Sequence, residues 1–154
     1  MFILLDIDGV MLPAKSWQKP ELLQDGFPVF ASGAVQVLQE ILTEADTIVL
    51  TTSHRSRFNV EQWKSIFRNR GIEVSKLLCT DSNTQLRSRR EEVIHWLVSR
   101  PSGENFIIID DDKSLNDLPA AFKERLLLTS PMIGLNVQHM QSLRELLHHV
   151  ILNP

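Results

Sequence analysis

The chain contains a single cysteine, Cys79, among its 154 residues, so no internal disulfide can form. No apolar run approaches the roughly 20 residues that a transmembrane helix needs. The N-terminus also lacks the basic, apolar and small-residue sections of a secretory signal peptide. These absences argue against a disulfide scaffold and an integral membrane protein, and they predict a cytosolic location.

Internal repeats and low-complexity tracts are absent as well. Hydrophobic residues at 43% and charged residues at 23% are ordinary values for a soluble globular protein. A chain of this length can bury about two-thirds of its unfolded surface around one core. We therefore expect a single domain over residues 1–154.

The formal net charge of -3 is unevenly distributed along the chain. Residues 55–90 contain nine Lys/Arg and three Asp/Glu, a net charge of +6, whereas residues 1–54 and 91–154 carry -5 and -4. The basic middle segment is either a solvated helix surface or a surface that attracts an anionic substrate. The sequence leaves both interpretations open.

Short apolar runs alternate with segments of helical periodicity, which is typical of strands and helices wound into a parallel sheet. The predicted strands are residues 2–5, 47–50, 74–79, 106–109 and 126–128. Four helices are predicted. The first follows Ser32-Gly33, the second follows Ser56, the third begins at Ser88 and the last begins near Asn136. The pattern predicts a three-layer α/β fold, a Rossmann-like parallel sheet with helices on both faces. The one long irregular segment, residues 12–32, has a length typical of functional or mobile loops.

Polar residues follow three of the predicted strands. The first strand runs into Asp6-Ile7-Asp8-Gly9, the second into Thr51-Thr52-Ser53-His54-Arg55, and the fourth into Asp110-Asp111-Asp112. The carboxyl ends of parallel strands share one edge, so these residues are expected in one crevice. Five carboxylates there would repel one another unless a cation lay among them. Oxygen ligands without His or Cys at metal spacing favour Mg²⁺.

The two carboxylates of Asp6 and Asp8 are one residue apart. In extended backbone, residues i and i+2 face the same side, so both are expected to face the crevice while Ile7 enters the core. A carboxylate that contacts the metal stays ionised and can act as a nucleophile, and its neighbour can transfer a proton. Gly9 is predicted to allow a sharp turn that brings backbone amides near a bound anion.

At these residues the sequence resembles a known family. DIDGV, TTS and IIIDDD are similar, in this order, to motifs I, II and IV of the haloacid dehalogenase (HAD) superfamily of Mg²⁺-dependent phosphohydrolases. The resemblance covers residues 2 to about 117. Within the superfamily, LTTSHR, REEVIHWL and FIIIDDD most resemble the small HAD domains associated with RNA-repair proteins. The resemblance implies a HAD-like fold and phosphatase chemistry.

The resemblance also implies roles for individual residues. Asp6 matches the nucleophile that forms an aspartyl-phosphate. Asp8 matches the acid/base that protonates the leaving oxygen and then activates water. Its backbone carbonyl would contact the metal. Thr52 is preferred as the motif II hydroxyl that binds a phosphoryl oxygen, because Ser53 follows it, with Thr51 as the alternative. Asp110 and Asp111 match the acidic pair that, with Asp6, holds Mg²⁺.

Motif III departs from the family pattern, because no lysine lies near the start of the helix that precedes the acidic strand. Arg87, Arg89 and Arg90 lie there instead. We favour Arg89, which is the first residue after Ser88 and lies 21 positions before Asp110, a separation typical of the family.

Four further residues are candidates for substrate contacts. Ser53, His54 and Arg55 follow the second strand, although His54 and Arg55 are equally placed to cap the next helix. Trp17, in the long irregular segment, is a candidate for stacking on a base.

Only about 40 residues separate Asp8 from Thr52, which leaves no room for a separate cap domain. Uncapped relatives tend to act on large substrates. The expected partner is therefore a phosphorylated substrate, first a polynucleotide end and second a nucleotide or small phosphate ester, with the oligomeric state undetermined. Two alternatives remain: a catalytically silent HAD-fold binding or regulatory module, and a phospho-accepting receiver domain, whose acidic residues follow a different strand order.

Overall fold

A five-stranded parallel sheet forms the centre of the molecule. The computed structural model describes residues 1–15, 18–81, 85, 88–100 and 103–154. The strands are β1 (Phe2–Leu5), β2 (Thr47–Leu50), β3 (Lys76–Cys79), β4 (Phe106–Asp110) and β5 (Leu126–Leu128). Their order in the sheet is β3-β2-β1-β4-β5, with every neighbouring pair parallel. The chain thus reverses its winding direction at β1, the place where open α/β sheets form their ligand crevice.

Helices cover both faces of this sheet. They are α1 (Ser32–Ile41), α2 (Val60–Arg68), α3 (Arg89–Ser99), α4 (Ala120–Lys123) and α5 (Met140–Leu152). Alternate strand residues point to opposite faces, so Ile3 and Leu5 pack beneath α1, α2 and α5, whereas Phe2 and Leu4 pack beneath α3 and α4. Two apolar layers therefore enclose the strands, which confirms the predicted three-layer α/β fold. No helix in the described residues has the length and apolar character needed to cross a bilayer.

The predicted strands agree closely with the structure, and the helix starts agree less well. Ser88 caps α3 as predicted, because its Oγ accepts a hydrogen bond from Glu91 N at 3.1 Å. The prediction that the second helix follows Ser56 was wrong. Residues 55–57 form a 3₁₀ turn, and Asn59 caps α2 through a reciprocal pair of hydrogen bonds with Gln62. Asn is as good an N-cap as Ser, so the local pattern permitted both starts.

The described residues between β1 and α1, 6–15 and 18–31, form no cap domain. They form turns and isolated bridges, with neither helix nor regular strand. The guanidinium of Arg70, just after α2, fixes the second half of this segment. Arg70 donates to Asp25 Oδ2 at 2.6 Å and to the carbonyls of Phe27 and Pro28 at 2.7 and 2.9 Å. This arginine thus ties the irregular segment to the core, and it lowers the pKa of Asp25.

Replacing Arg70 with Ala should lower the free energy of unfolding by about 3 kcal/mol or more, because it leaves buried carbonyls without donors. Arg68→Ala is the matched control. Arg68 pairs with Glu73 on the surface, and exposed pairs contribute about 1 kcal/mol at most. Urea denaturation at neutral pH measures the free energy of unfolding of both variants. Similar decreases in the two variants would contradict the role of Arg70 in holding the irregular segment.

Candidate active site

The site is assembled by strand register. Leu5 of β1 lies opposite Leu50 of β2 and Ile109 of β4, so the residue after each of them reaches the same edge. Those residues are Asp6, Thr51 and Asp110. Residues two positions earlier, such as Leu4, face α3, and strand alternation places these three polar side chains on the same side. Ile7 enters the opposite apolar layer, as predicted.

Asp6, Asp110 and Asp111 form an acidic cluster. Each offers a carboxylate oxygen, and these three oxygens lie within 4.8 Å of one another. Burial raises the pKa of Asp6 to about 6, although the nearby positive charge of Arg89 lowers it. Burial and the charge of Asp6 raise the pKa of Asp110 to about 6, and burial also raises the pKa of Asp111. Clustered oxygens that resist ionisation fit a divalent cation such as Mg²⁺, which would relieve their repulsion.

Arg89 lies at the first position of α3 and points at this cluster. Its Nη1 is 2.7 Å from Asp110 Oδ2 and 3.4 Å from Asp6 Oδ2. Burial disfavours the charge of Arg89, but Asp110 and Asp6 outweigh it and raise the pKa of the guanidinium. Arg90 instead donates to the carbonyl of Asp117, and Arg87 lies outside the described residues. The geometry therefore favours Arg89 for the motif III position.

The two threonines after β2 point to different places. Thr51 Oγ1 lies 3.3 Å from Asp110 Oδ2 and accepts a hydrogen bond from Arg89 Nη1 at 3.3 Å. Thr52 Oγ1 accepts from the backbone N–H of His54 at 3.2 Å and so closes the turn after β2. The structure thus brings the alternative, Thr51, to the acidic cluster. Sequence reasoning preferred Thr52 because it precedes Ser53, a signal that does not report which side of the sheet a residue faces.

Gly9 makes the sharp turn that the sequence predicted, and the approach of backbone amides to a bound anion stays a prediction. Its N–H donates to the carbonyl of Leu12 at 2.8 Å, so this amide is engaged within the turn. Its φ is +80°, and a Cβ at this position would lie 2.1 Å from Asp111 Oδ2. Glycine is needed here because the backbone turns sharply against a carboxylate of the cluster.

Asp8 lies outside the cluster and pairs with His54. The distance from His54 Nε2 to Asp8 Oδ2 is 2.7 Å, and the side chains are 30% and 48% exposed. The carboxylates of Asp6 and Asp8 therefore have different partners, one desolvated beside Arg89 and the other open to solvent. The predicted metal contact of Asp8 through its backbone carbonyl stays a prediction.

Arg55 is a buried support rather than an exposed contact. Its guanidinium donates to the carbonyls of Thr80, Thr52 and Asp81. It also lies 3.4 Å from Glu92, which in turn is 3.6 Å from Arg89. This geometry favours a structural role over the predicted substrate contact. Ser53 is exposed beside the site, with no hydrogen bond to the described residues.

Sequence reasoning did not identify Glu92 as part of the site. It shares a helix face with Arg89 at a spacing of three residues, a signal that could have indicated the pair.

A groove of about 790 Å³ opens beside Asp8 and His54. Apolar side chains such as Phe30 and Leu12 form part of its wall, and Lys15, Lys19 and Arg57 add positive charge. Its size is that of a small-molecule site. Trp17, proposed from sequence for base stacking, lies outside the described residues.

The sheet is parallel, and its acidic cluster lies at the switch point, where the DIDG sequence follows β1. These features, together with the family match, define a domain of the HAD class. The chain belongs to the family described as the HAD domain in Swiss Army Knife RNA repair proteins, whose profile it matches over residues 2–140. Comparison with curated proteins and with solved structures gave no match. Family membership confirms the resemblance predicted from the three motifs.

Asp111→Asn should stabilise the metal-free protein at neutral pH. The folded-state pKa values of Asp6 and Asp110 lie above the ordinary 3.8, so their stability contribution is full below about pH 4 and is lost as the pH rises through about 6. Burial raises the pKa of Asp111 in the same direction. Removing one charge should raise the thermal midpoint in EDTA by about 2–5 °C. It should also remove most of the rise that Mg²⁺ produces in the wild type.

Glu44→Gln, which removes an exposed carboxylate from the loop after α1, is the matched control and should change neither value. Thermal unfolding with Mg²⁺ or EDTA measures both effects. An unchanged Mg²⁺ response in Asp111→Asn would show that Asp111 does not hold the cation.

Proposed function

We propose that this protein is a Mg²⁺-dependent phosphomonoesterase that acts through an aspartyl-phosphate on Asp6, with phosphorylated nucleic-acid ends as its substrate class. The observation that carries the proposal is the cluster of Asp6, Asp110 and Asp111 within 4.8 Å, with Arg89 against it. Family membership supports phosphohydrolase chemistry. The absence of a membrane-spanning helix in the described residues is consistent with the proposed cytosolic location.

In the first step, Asp6 attacks phosphorus and the bond to the leaving oxygen breaks. The carboxylate is oriented for this step, because Oδ1 accepts the Ile7 N–H at 2.8 Å and Oδ2 faces Arg89. The electron pair of the broken bond goes to the leaving oxygen, which takes a proton from Asp8. In the second step, Asp8 takes a proton from water, water oxygen attacks phosphorus, and the bond to Asp6 breaks.

Phosphoryl transfer depends mainly on positioning and on neutralising the charge of the phosphoryl oxygens. Arg89 supplies a fixed positive charge beside the nucleophile. Its donors to Asp110 and Thr51 keep it in place. A Mg²⁺ ion bound by Asp6, Asp110 and Asp111 would supply further neutralisation of the phosphoryl group.

The groove supports a substrate larger than phosphate. Asp8, the residue proposed to protonate the leaving oxygen, lines this groove, so the remainder of the substrate is expected to lie within it. Lys15, Lys19 and Arg57 outnumber the lining carboxylates of Asp8 and Glu21 and favour a leaving group with further negative charges. The apolar wall favours a flat, weakly polar group. A nucleotide chain combines both properties. The family's description as part of RNA repair proteins agrees with this class.

The proposal predicts metal-dependent phosphate release that requires Asp6. Asp6→Asn keeps the shape of the side chain and should lower kcat by about a thousandfold or more, because the nucleophile is lost. The measurement is phosphate release from p-nitrophenyl phosphate and from oligonucleotides with a 3′- or 5′-phosphate, with Mg²⁺ or EDTA.

Thermal unfolding of Asp6→Asn verifies that the fold is intact. Release that persists in EDTA or in Asp6→Asn would contradict the mechanism. An inert wild type that still binds Mg²⁺ would indicate a narrower substrate class, whereas an inert wild type without Mg²⁺ binding would favour a catalytically silent binding module.

The geometry further predicts unequal roles for the two threonines. Thr51→Val removes the hydroxyl beside Arg89 and Asp110, and it should lower kcat by about tenfold or more. Thr52→Val removes a turn hydrogen bond and should have the smaller effect on turnover. Steady-state kinetics of the pair tests this order. The opposite order would identify Thr52 as the phosphoryl-binding hydroxyl, as the sequence motif predicted.

A further inference from the structure

Building on the proposed phosphatase chemistry, we propose that Arg57 and His54 form a hydrogen-bonded pair that positions the carboxyl group of Asp8 for proton transfer to the leaving oxygen. His54 Nε2 lies 2.7 Å from Asp8 Oδ2, and His54 Nδ1 lies 3.3 Å from Arg57 Nη1. The imidazole therefore bridges a carboxyl group and a guanidinium on the wall of the groove. His54 and Arg57 are positioning residues, since they act through Asp8.

Arg57 is fixed by aromatic side chains although it is exposed. Its guanidinium carbon lies 5.8 Å from the ring centroid of Phe27 and 5.3 Å from that of Phe58. These distances are within the range of cation–π attraction. Phe27 is 1% exposed and also meets the His54 ring edge to face at 5.8 Å. A buried aromatic residue thus orients both members of the pair.

The arrangement determines the tautomer of His54. Arginine carries donors only, so Nδ1 must accept the hydrogen bond from Arg57. In the neutral ring the proton then lies on Nε2, which faces Asp8 and donates to Oδ2. His54 is thereby directed to act as a hydrogen-bond donor toward the carboxyl group.

This hydrogen bond distinguishes the two oxygens of Asp8. Oδ2 accepts from His54, and Oδ1 makes no hydrogen bond within the described part of the chain. The acidic proton therefore resides on Oδ1 when Asp8 is protonated. In the first step Oδ1–H gives its proton to the leaving oxygen as the phosphorus–oxygen bond breaks, and Asp8 becomes a carboxylate. In the second step Oδ1 recovers a proton from the attacking water.

The positioning role is tested by the leaving group. An alkoxide needs a proton as it departs, whereas p-nitrophenolate is a stable anion and does not. We expect His54→Ala to lower kcat/KM about tenfold for an oligonucleotide 3′-phosphate and less than about threefold for p-nitrophenyl phosphate. The ratio kcat/KM is the informative quantity, because it excludes the hydrolysis step that both substrates share.

Two further variants sharpen the test. His54→Gln keeps a side-chain N–H that can reach Asp8. It should recover most of the kcat/KM that His54→Ala loses on the oligonucleotide 3′-phosphate. His148→Ala removes an exposed histidine from α5 and should not change kcat/KM for either substrate. Equal losses on both esters, or no recovery in His54→Gln, would overturn the positioning role.

A second measurement does not depend on turnover. Nitrogen-15 shifts of the His54 imidazole in mildly alkaline solution report which ring nitrogen is protonated. A proton on Nε2 that moves partly to Nδ1 in Arg57→Ala supports the pair, and a proton on Nδ1 in the wild type overturns it. If the wild type hydrolyses neither ester, its Mg²⁺ binding decides between a narrower substrate class and a catalytically silent module, as above. The nitrogen shifts decide in either case whether the pair forms.

Discussion

The burial of Asp6 and Asp110 beside a single guanidinium is the constraint on which the rest of the site depends. Strand register forces these carboxyl groups together at the sheet's switch point, and Asp111 adds a third. Burial raises the pKa values of Asp6 and Asp110 to about 6. The single positive charge of Arg89 is not enough to offset this effect. The fold thus maintains a local excess of negative charge that a divalent cation would relieve.

The arginines of the basic middle segment serve mainly as internal connections. Arg55, Arg70 and Arg89 direct their donors at carbonyls and carboxylates inside the molecule. They join the turn after β2 to the end of β3, the irregular segment to α2, and α3 to the acidic cluster. The net charge of +6 therefore overstates the attraction that residues 55–90 exert on an anion. Within this segment Arg57 is better placed for that purpose, because it lines the groove together with Lys15 and Lys19.

The sequence predicted the sheet well because each strand is a short apolar run that ends in polar residues. It also predicted that Asp6 and Asp110 would meet, since both follow strands at a shared edge. It preferred Thr52 to Thr51, whereas the structure brings Thr51 to the cluster, because the side that each threonine faces depends on which residue ends β2. The contact between Asp8 and His54 was also missed. It joins two turns that are 46 residues apart, and local periodicity carries no information about it.

Asp6 and Asp8 are one residue apart in sequence but differ in burial and in partner. Asp6 is 5% exposed and is held beside Arg89, which suits a nucleophile whose orientation is fixed. Asp8 is half-exposed in the lining of the groove, where it can exchange protons with water. Gly9 makes the arrangement possible, because its positive φ turns the chain while its missing side chain leaves space for Asp111. Two identical side chains thus occupy different electrostatic environments because of their burial and their partners alone.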